Sequence, residues 1–120
     1  MAYDLYQTER LRGVLKRLGV PYEEKSMIGG MCFRVDDKMC FGTHTDKHSS
    51  KNLLMVRIGA SAVQTNLSRQ GAMPMDFTGR PMKDYLFVSE EGYDSEEDLL
   101  FWVRLALAFN PLAKASAKRK

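Results

Sequence analysis

The sequence predicts an α+β protein in which helices cover a largely antiparallel sheet. Three patterns carry this prediction: an amphipathic helix near the N-terminus, short alternating apolar segments in the middle, and a strongly apolar helix near the C-terminus. Strands joined by short connections pair antiparallel, and helices outside the run of strands form a second layer. We therefore expect two layers in the order α-β-β-β-α-β-β-α.

Length and composition are those of one globular domain. The chain has 120 residues, of which 44% are hydrophobic and 28% are charged, and this suits a single core. We expect one domain over residues 1–112 and a basic, disordered tail over residues 113–120. No apolar run reaches the roughly 20 residues that span a membrane, and the N-terminus lacks the pattern of a signal peptide. The sequence therefore predicts a cytoplasmic protein without membrane contact.

The first predicted element is a helix from about Asp4 to Leu18, which Gly19 and Pro21 bring to an end. Apolar residues recur at the spacing of one helical face: Leu11, Val14, Leu15 and Leu18. Basic residues lie mostly on other faces: Arg10, Arg12, Lys16 and Arg17. We interpret the basic residues as a solvated surface. A surface that faces the phosphates of a nucleic acid is the alternative.

A β-hairpin is predicted over Met27–Phe41, after a first strand over Tyr22–Ile28. Apolar residues alternate on both sides of an acidic turn, and Gly29-Gly30 allows the chain to bend before the first arm. We expect a three-residue turn, Asp36-Asp37-Lys38. The pairs that this register places side by side are Val35 with Met39 and Phe33 with Phe41.

The same register places Cys32 and Cys40 on the opposite face of the hairpin as a diagonal pair. Two cysteines are too few for a disulfide framework, and the missing signal peptide implies reducing surroundings. We interpret both as free thiols. A disulfide and a redox switch are the alternatives.

A polar connection over residues 43–52 leads to a strand over Leu53–Ile58. Ser61 is expected to cap a short helix that runs to about Gln70 and closes at Gly71. Loop histidines in the connection suggest a metal site, for which the candidates are His44, His48 and Cys40. Zinc takes four ligands, and no C-x-x-C or H-E-x-x-H spacing organises these residues, so we interpret the histidines as solvated.

A second pair of strands, Met73–Phe77 and Tyr85–Val88, is predicted around a turn over residues 78–81. Pro74 places the first of these strands at a sheet edge, because proline cannot donate to a ladder. We interpret the turn as structural. An anion contact through Arg80 and Lys83 is the alternative.

The final helix is the best-marked element. Ser95 stands before three carboxylates, as an N-cap should, and Asn110-Pro111 ends the helix after Phe109. From Leu99 onward the helix is apolar on nearly every side, with Arg104 as a charged interruption. A surface helix needs one apolar stripe, so we expect a second face to meet another subunit in a homodimer. The candidate interface residues are Leu100, Phe101, Leu105 and Phe109.

The chain resembles the N-terminal domain of the TfoX/Sxy competence regulators. The resemblance depends on the order of three segments: Met27-Ile28-Gly29-Gly30 before a hairpin, Gly79-Arg80-Pro81-Met82-Lys83-Asp84-Tyr85, and Trp102 in a closing helix. The family more often has Phe where this chain has Ile28. The resemblance implies a bacterial, often dimeric protein with a fold similar to that of type III secretion chaperones.

Full-length TfoX proteins promote expression of competence genes alongside a cyclic-AMP-dependent activator, and they carry a second, helical C-terminal domain. This chain ends where that domain would begin, so we expect a stand-alone N-terminal domain. The family offers no established catalytic residues. We therefore predict a non-catalytic regulator that acts by protein–protein binding, without a cofactor. Two alternatives remain: nucleic-acid contact through the first helix and the tail, and a metal- or thiol-dependent enzyme.

Overall fold

The computed structural model describes residues 5–27, 30–45, 51–77 and 80–113. The predicted basic tail, beyond its first residue, lies outside these ranges. The elements in chain order are α1 Leu5–Leu18, β1 Glu23–Met27, β2 Gly30–Val35, β3 Lys38–Thr45, β4 Asn52–Arg57, α2 Ala60–Asn66, β5 Ala72–Phe77, β6 Arg80–Val88, α3 Glu90–Tyr93, α4 Glu96–Phe109 and a 3₁₀ turn Asn110–Leu112.

The α+β class is confirmed, with two differences in the element order. Four strands precede α2, whereas the predicted order has three. They are the first strand β1, the two hairpin arms β2 and β3, and the strand β4 before α2. The short helix α3 was not predicted, since its four residues are too few to show a helical period. The six strands form one antiparallel sheet in the order β1-β2-β3-β4-β6-β5. Strand β5 lies at an edge, as Pro74 predicted.

The turn between β2 and β3 differs from the prediction. It contains two residues, Asp36 and Asp37, both with positive φ (58° and 63°), as in the type I′ turns that match the twist of a hairpin. Val35 consequently pairs with Lys38 rather than with Met39. Between Phe33 and Arg34 the register shifts, because β3 has one more residue than β2 at this point. The predicted pairing of Phe33 with Phe41 is therefore present.

Four other element boundaries differ from the predictions. Gly59, with φ 91°, precedes α2 as its N-cap instead of Ser61, and α2 ends at Asn66 rather than near Gln70. Strand β3 extends to Thr45, so His44 lies in a strand and not in a loop. Strand β6 begins at Arg80, within the segment predicted as a turn. Backbone pairing across the sheet overrides the local preference of these polar residues for turns.

The main core lies between the helices and one face of the sheet. Its largest buried side chain is Trp102 of α4, which is 1% exposed and whose Nε1 donates a hydrogen bond to the Gly92 carbonyl oxygen at 3.0 Å. Strand residues that alternate toward the helices complete this core: Met31, Phe33, Phe41, Leu54, Val56, Leu86 and Val88. Leu53, Met55 and Phe87 form a smaller cluster with the opposite parity.

Candidate protein-binding face

Helix α4 presents two different apolar faces. The inner face is buried against the sheet and the other helices, and it consists of Leu99, Trp102, Val103 and Ala106. On the other side the apolar side chains are only partly buried, and these are the four predicted interface residues: Leu100, Phe101, Leu105 and Phe109. We call these four, together with exposed Glu97, Arg104 and Ala108, the outer face of α4.

Two concave surfaces lie along the outer face. A depression of about 350 Å³ is lined by Glu97, Leu100, Phe101, Arg104 and Leu105. A larger groove of about 530 Å³ runs between α2 and the C-terminal half of α4. Leu105 borders both, so the two form one continuous surface. Three of the four predicted interface residues line the depression, and Phe109 lines the groove.

A glycine allows α2 to begin directly against α4. A Cβ atom placed on Gly59 would lie 2.7 Å from the Phe109 ring, and its φ of 91° also favours glycine. Small residues then line the α2 side of the groove, including Ala60 and Ala62. At the end of the groove Leu112 is 76% exposed. A large apolar side chain this exposed beside an apolar groove is a feature of binding surfaces.

The C-terminal end of α4 is held by the hairpin tip. The Asn110 amide Nδ2 donates to the Val35 carbonyl oxygen at 3.1 Å. Lys38 Nζ donates in return to the Asn110 carbonyl oxygen at 3.1 Å. Asn110 is 6% exposed. In the sequence Asn110 indicates only a helix stop, because a partner 75 positions away leaves no local signal.

The N-terminal end of α4 has the predicted cap. The Ser95 hydroxyl accepts a hydrogen bond from the Asp98 backbone N–H at 3.0 Å. Nearby, the Arg69 guanidinium lies 3.9 Å from the centroid of the Phe101 ring. Arg69 thus covers one side of this ring in a cation–π contact. Arg69 follows α2 in a turn, and nothing in the sequence indicated its role.

Two charged residues of the outer face lack ion-pair partners. Within the described ranges, neither Glu97 nor Arg104 makes a salt bridge or a side-chain hydrogen bond, and both are exposed. Their neighbour Glu96 differs, since it lies 3.4 Å from Arg17 Nη2 on α1. The outer face therefore combines apolar side chains with two uncompensated charges of opposite sign.

The basic residues of α1 are largely engaged by acceptors of the same chain. Arg12 donates to both oxygens of Glu24, at 2.6 and 2.8 Å, and also pairs with Glu9. The Arg12 guanidinium lowers the pKa of the Glu24 carboxyl below its usual value. Arg10 Nη2 donates to the carbonyl oxygens of Tyr93 and Asp94 at 3.1 and 3.0 Å. A phosphate-binding surface needs free cations, and most of the basic side chains of α1 already have acceptors within the chain.

The predicted metal candidates are not brought together. His44 lies on β3, half-buried, with its ring 5.3 Å from that of Phe87 in a stacked arrangement, so it is not the solvated loop residue we expected. His48 lies outside the described residues. In the ranges that the structure describes, no group of three or more His, Cys, Asp or Glu side chains is arranged to hold a metal ion.

Both thiols are free and buried. Burial raises the pKa of Cys32 to about 11 and that of Cys40 to about 12. A nucleophilic or metal-binding cysteine needs a lowered pKa, because the thiolate is the reactive form. The two thiols are therefore protonated at neutral pH.

The predicted anion contact involves Arg80 and Lys83 of β6. Lys83 is exposed. The side chain of Arg80 and the residues 78–79 lie outside the described part of the structure, so this hypothesis stays a prediction. Among the described residues, the one guanidinium with buried atoms that lack hydrogen-bond partners belongs to Arg57, whose Cζ lies 5.5 Å from the Tyr85 ring centroid.

Comparison with known proteins gives one family. No curated protein and no solved structure gives a significant match. In the described ranges, no helix is both long and apolar enough to cross a membrane. The family model of the TfoX N-terminal domain matches residues 14–110, which include β1 to β6 and the whole of α4. The chain belongs to the TfoX N-terminal domain family.

Proposed function

We propose that this chain is a regulatory domain of the competence-regulator type that acts by binding another protein chain through the outer face of α4. The observation that carries this proposal is the second apolar face. Leu100, Phe101, Leu105 and Phe109 remain partly exposed beside a groove of about 530 Å³. Covering such a surface removes apolar area from water, and this is the favourable term that has to exceed the entropic cost of association.

The chemistry of the remaining side chains supports binding over catalysis. The thiols of Cys32 and Cys40 have raised pKa values, and burial also raises the pKa of Tyr85. All three groups are thus held in their neutral, less nucleophilic forms. A general acid or base at neutral pH needs a pKa moved toward 7, whereas these shifts lie in the other direction.

The α2–α4 groove suits a helical or extended apolar segment rather than a polar small molecule. It lies between α2 and the C-terminal half of α4, and its described lining carries no charged side chain. Recognition of an amphipathic helix in such a groove depends on apolar anchors at helical spacing. Leu105, Phe109 and Leu112 provide such anchors on this side.

The test is complementation in an organism that carries the gene. Cells lacking the gene receive the wild-type chain, Leu105→Glu, Ala108→Glu or the control Gln64→Glu, and transcripts of DNA-uptake genes are measured. Ala108 is exposed, so its substitution adds charge to the groove without opening the core. We expect both outer-face variants to behave like the deletion. Gln64, exposed on α2 but not part of the groove lining, should be tolerated.

Thermal melts of the purified variants separate binding defects from unfolding. Ala108→Glu should melt like the wild type. If Ala108→Glu and Leu105→Glu both fold, and each of them restores full transcript levels, the outer face is not the functional surface. An unchanged transcript profile in the deletion strain itself would remove the regulatory part of the proposal.

A further inference from the structure

The side of the sheet that faces away from the helices carries its own apolar cluster. Leu53 and Met55 of β4 and Phe87 of β6 are buried there. The partly buried side chains that pack against them also come from strands: Met39, Met73 and Tyr85. We call the surface formed by these six residues the far face of the sheet. Among the described residues its cluster contains strand side chains alone, whereas helices cover the main core.

Arg57 lies beside this cluster. It follows Met55 by two positions on β4, so its side chain lies on the same side of the strand. Tyr85 is its neighbour across the ladder, and the Arg57 Cζ lies 5.5 Å from the centroid of the Tyr85 ring. This cation–π contact supports the guanidinium from one side. Arg57 as a whole is only partly buried, so a ligand can approach it from solvent.

Two donor atoms of Arg57 lack acceptors. Its Nε and Nη1 are buried, and no side chain or carbonyl oxygen of the described structure accepts a hydrogen bond from them. A guanidinium cannot lose its charge by deprotonation, and leaving buried donors unpaired costs free energy. Exposed cations are hydrated by water and carry no such cost. Buried donors of this kind therefore indicate an acceptor that comes from outside the chain.

We propose that the far face binds a small carboxylic acid with an apolar body. Its carboxylate accepts hydrogen bonds from the Arg57 guanidinium, and its apolar body lies against Met55 and Phe87. The planar guanidinium matches a carboxylate in shape and charge. This inference goes beyond the proposed function, because it concerns a different surface from the outer face of α4 and a small molecule instead of a protein.

The charge of the far side of the sheet favours an anion. Lys83 is exposed on β6, at a position of the same parity as the cluster residue Phe87. On the neighbouring strands, Arg34 and Lys25 both act to lower the pKa of the Cys32 thiol, against the larger effect of burial, so these cations lie close to it. Basic side chains at several points of one surface give a positive potential, which attracts a negatively charged ligand.

The surroundings of Arg57 favour a carboxylate with an apolar body over inorganic phosphate. A phosphate ion has acceptor oxygens on all sides, and apolar side chains leave those that face them without hydrogen bonds. A carboxylate places its two oxygens at one end, so its apolar body can lie against the cluster. Three residues of the far face are methionines: Met39, Met55 and Met73. Their unbranched side chains can rearrange to admit an acyl chain.

NMR of the chain labelled with ¹³C at the methionine methyl groups tests the inference, with hexanoate as the probe. The methyl signals of Met39, Met55 and Met73 should shift in a saturable way. The dissociation constant should lie between about 0.01 and about 10 mM, as expected for a ligand of this size. Met31, which lies in the main core, provides the reference signal and should not shift.

Two further probes separate the parts of the ligand. Hexanol retains the apolar body without the charge, and acetate retains the charge without most of the apolar body. Each should bind at least about tenfold more weakly than hexanoate, because each loses one of the two kinds of contact. Hexanol that binds as tightly as hexanoate overturns the inference. So does the absence of shifts at the three methionines up to about 50 mM hexanoate.

Arg57→Gln should weaken hexanoate binding by about tenfold or more, because it removes the charged donor. Arg17→Gln is the matched control, since it makes the same substitution at an exposed position on α1 and should leave the affinity unchanged. Equal affinity in folded Arg57→Gln, or an equal loss in both variants, overturns the inference. Thermal melts establish that the variants fold. If Arg57→Gln does not fold, the comparison of the three probes with the wild-type chain decides alone.

Discussion

Helices α1 and α4 have the same length, 14 residues, and both pack on the same side of one sheet, yet their outward surfaces are opposite in character. On α1 the exposed side chains are charged except for Tyr6, and its arginines bind carboxylates and carbonyl oxygens of the same chain. On α4 the outward side is apolar, and Glu97 and Arg104 lack partners in the described ranges. The arginines of α1 thus have partners within the chain, whereas the outward side of α4 leaves apolar and charged side chains available to a binding partner.

This difference shows why the number of basic residues is a poor guide to nucleic-acid binding. From the sequence, α1 carries the denser basic cluster and was the candidate for phosphate contact. In the structure Arg12 and Arg17 have carboxylate partners. Glu97 and Arg104, which have no partner in the described ranges, lie instead on α4, where the sequence predicted an apolar interface. Whether a charge is free depends on the tertiary neighbours, and these are remote in sequence.

The largest expected effect distinguishes the two faces of α4. Trp102→Ala removes a side chain that is 1% exposed and breaks the hydrogen bond to Gly92, which should cost about 3–5 kcal/mol in the free energy of unfolding. Ala108→Glu, on the outer face, should change it by less than about 0.5 kcal/mol. Urea denaturation measures both. Equal losses would mean that the outer face is part of the core.

A smaller effect is expected at the start of α4. Ser95→Ala removes the hydroxyl that accepts from the Asp98 N–H and should cost about 1 kcal/mol. Ser95→Asp retains an acceptor and serves as the control, with stability close to that of the wild type. A loss in Ser95→Asp as large as in Ser95→Ala would show that the cap is not what holds this helix end.

The smallest effect concerns the paired surface of α1. Glu24→Gln breaks the Arg12 pair, in which both side chains are 25% exposed, and should cost about 0.5 kcal/mol at pH 7. Arg12 lowers the pKa of Glu24, so this contribution is present above the unfolded pKa of about 4.5 and is lost as the pH falls through the folded value. Denaturation midpoints of both proteins should therefore converge as the pH falls below the folded pKa of Glu24. A difference of constant size throughout the acid titration would contradict the pairing.

The sequence predicted the parts of the fold that depend on local patterns. The cap at Ser95, the end of α1 at Gly19 and the edge position of Pro74 all follow from single residues with few backbone options. The turn at Asp36-Asp37 was assigned one residue too many, since alternation alone does not reveal a bulge. The half-buried position of His44 depends on Phe87 in a strand far along the chain, and no local pattern indicates it.

The candidate site was predicted in part. Leu100, Phe101, Leu105 and Phe109 were identified because a helix that is apolar all round must cover a second face. The groove beside them was not, because it depends on the contact between Gly59 and Phe109. The same holds for Asn110 and Arg69, whose partners are set by tertiary packing.

The most direct measurement of the central claim is side-chain footprinting of the outer face at low and high protein concentration. Carbene labelling of Leu100, Phe101 and Leu105 should fall when the concentration rises from about 1 to about 500 µM. Labelling of Tyr6, which is 68% exposed on α1, should stay constant and provides the internal reference. Equal labelling of the three α4 residues at both concentrations would contradict the homodimer that the sequence predicts across this face.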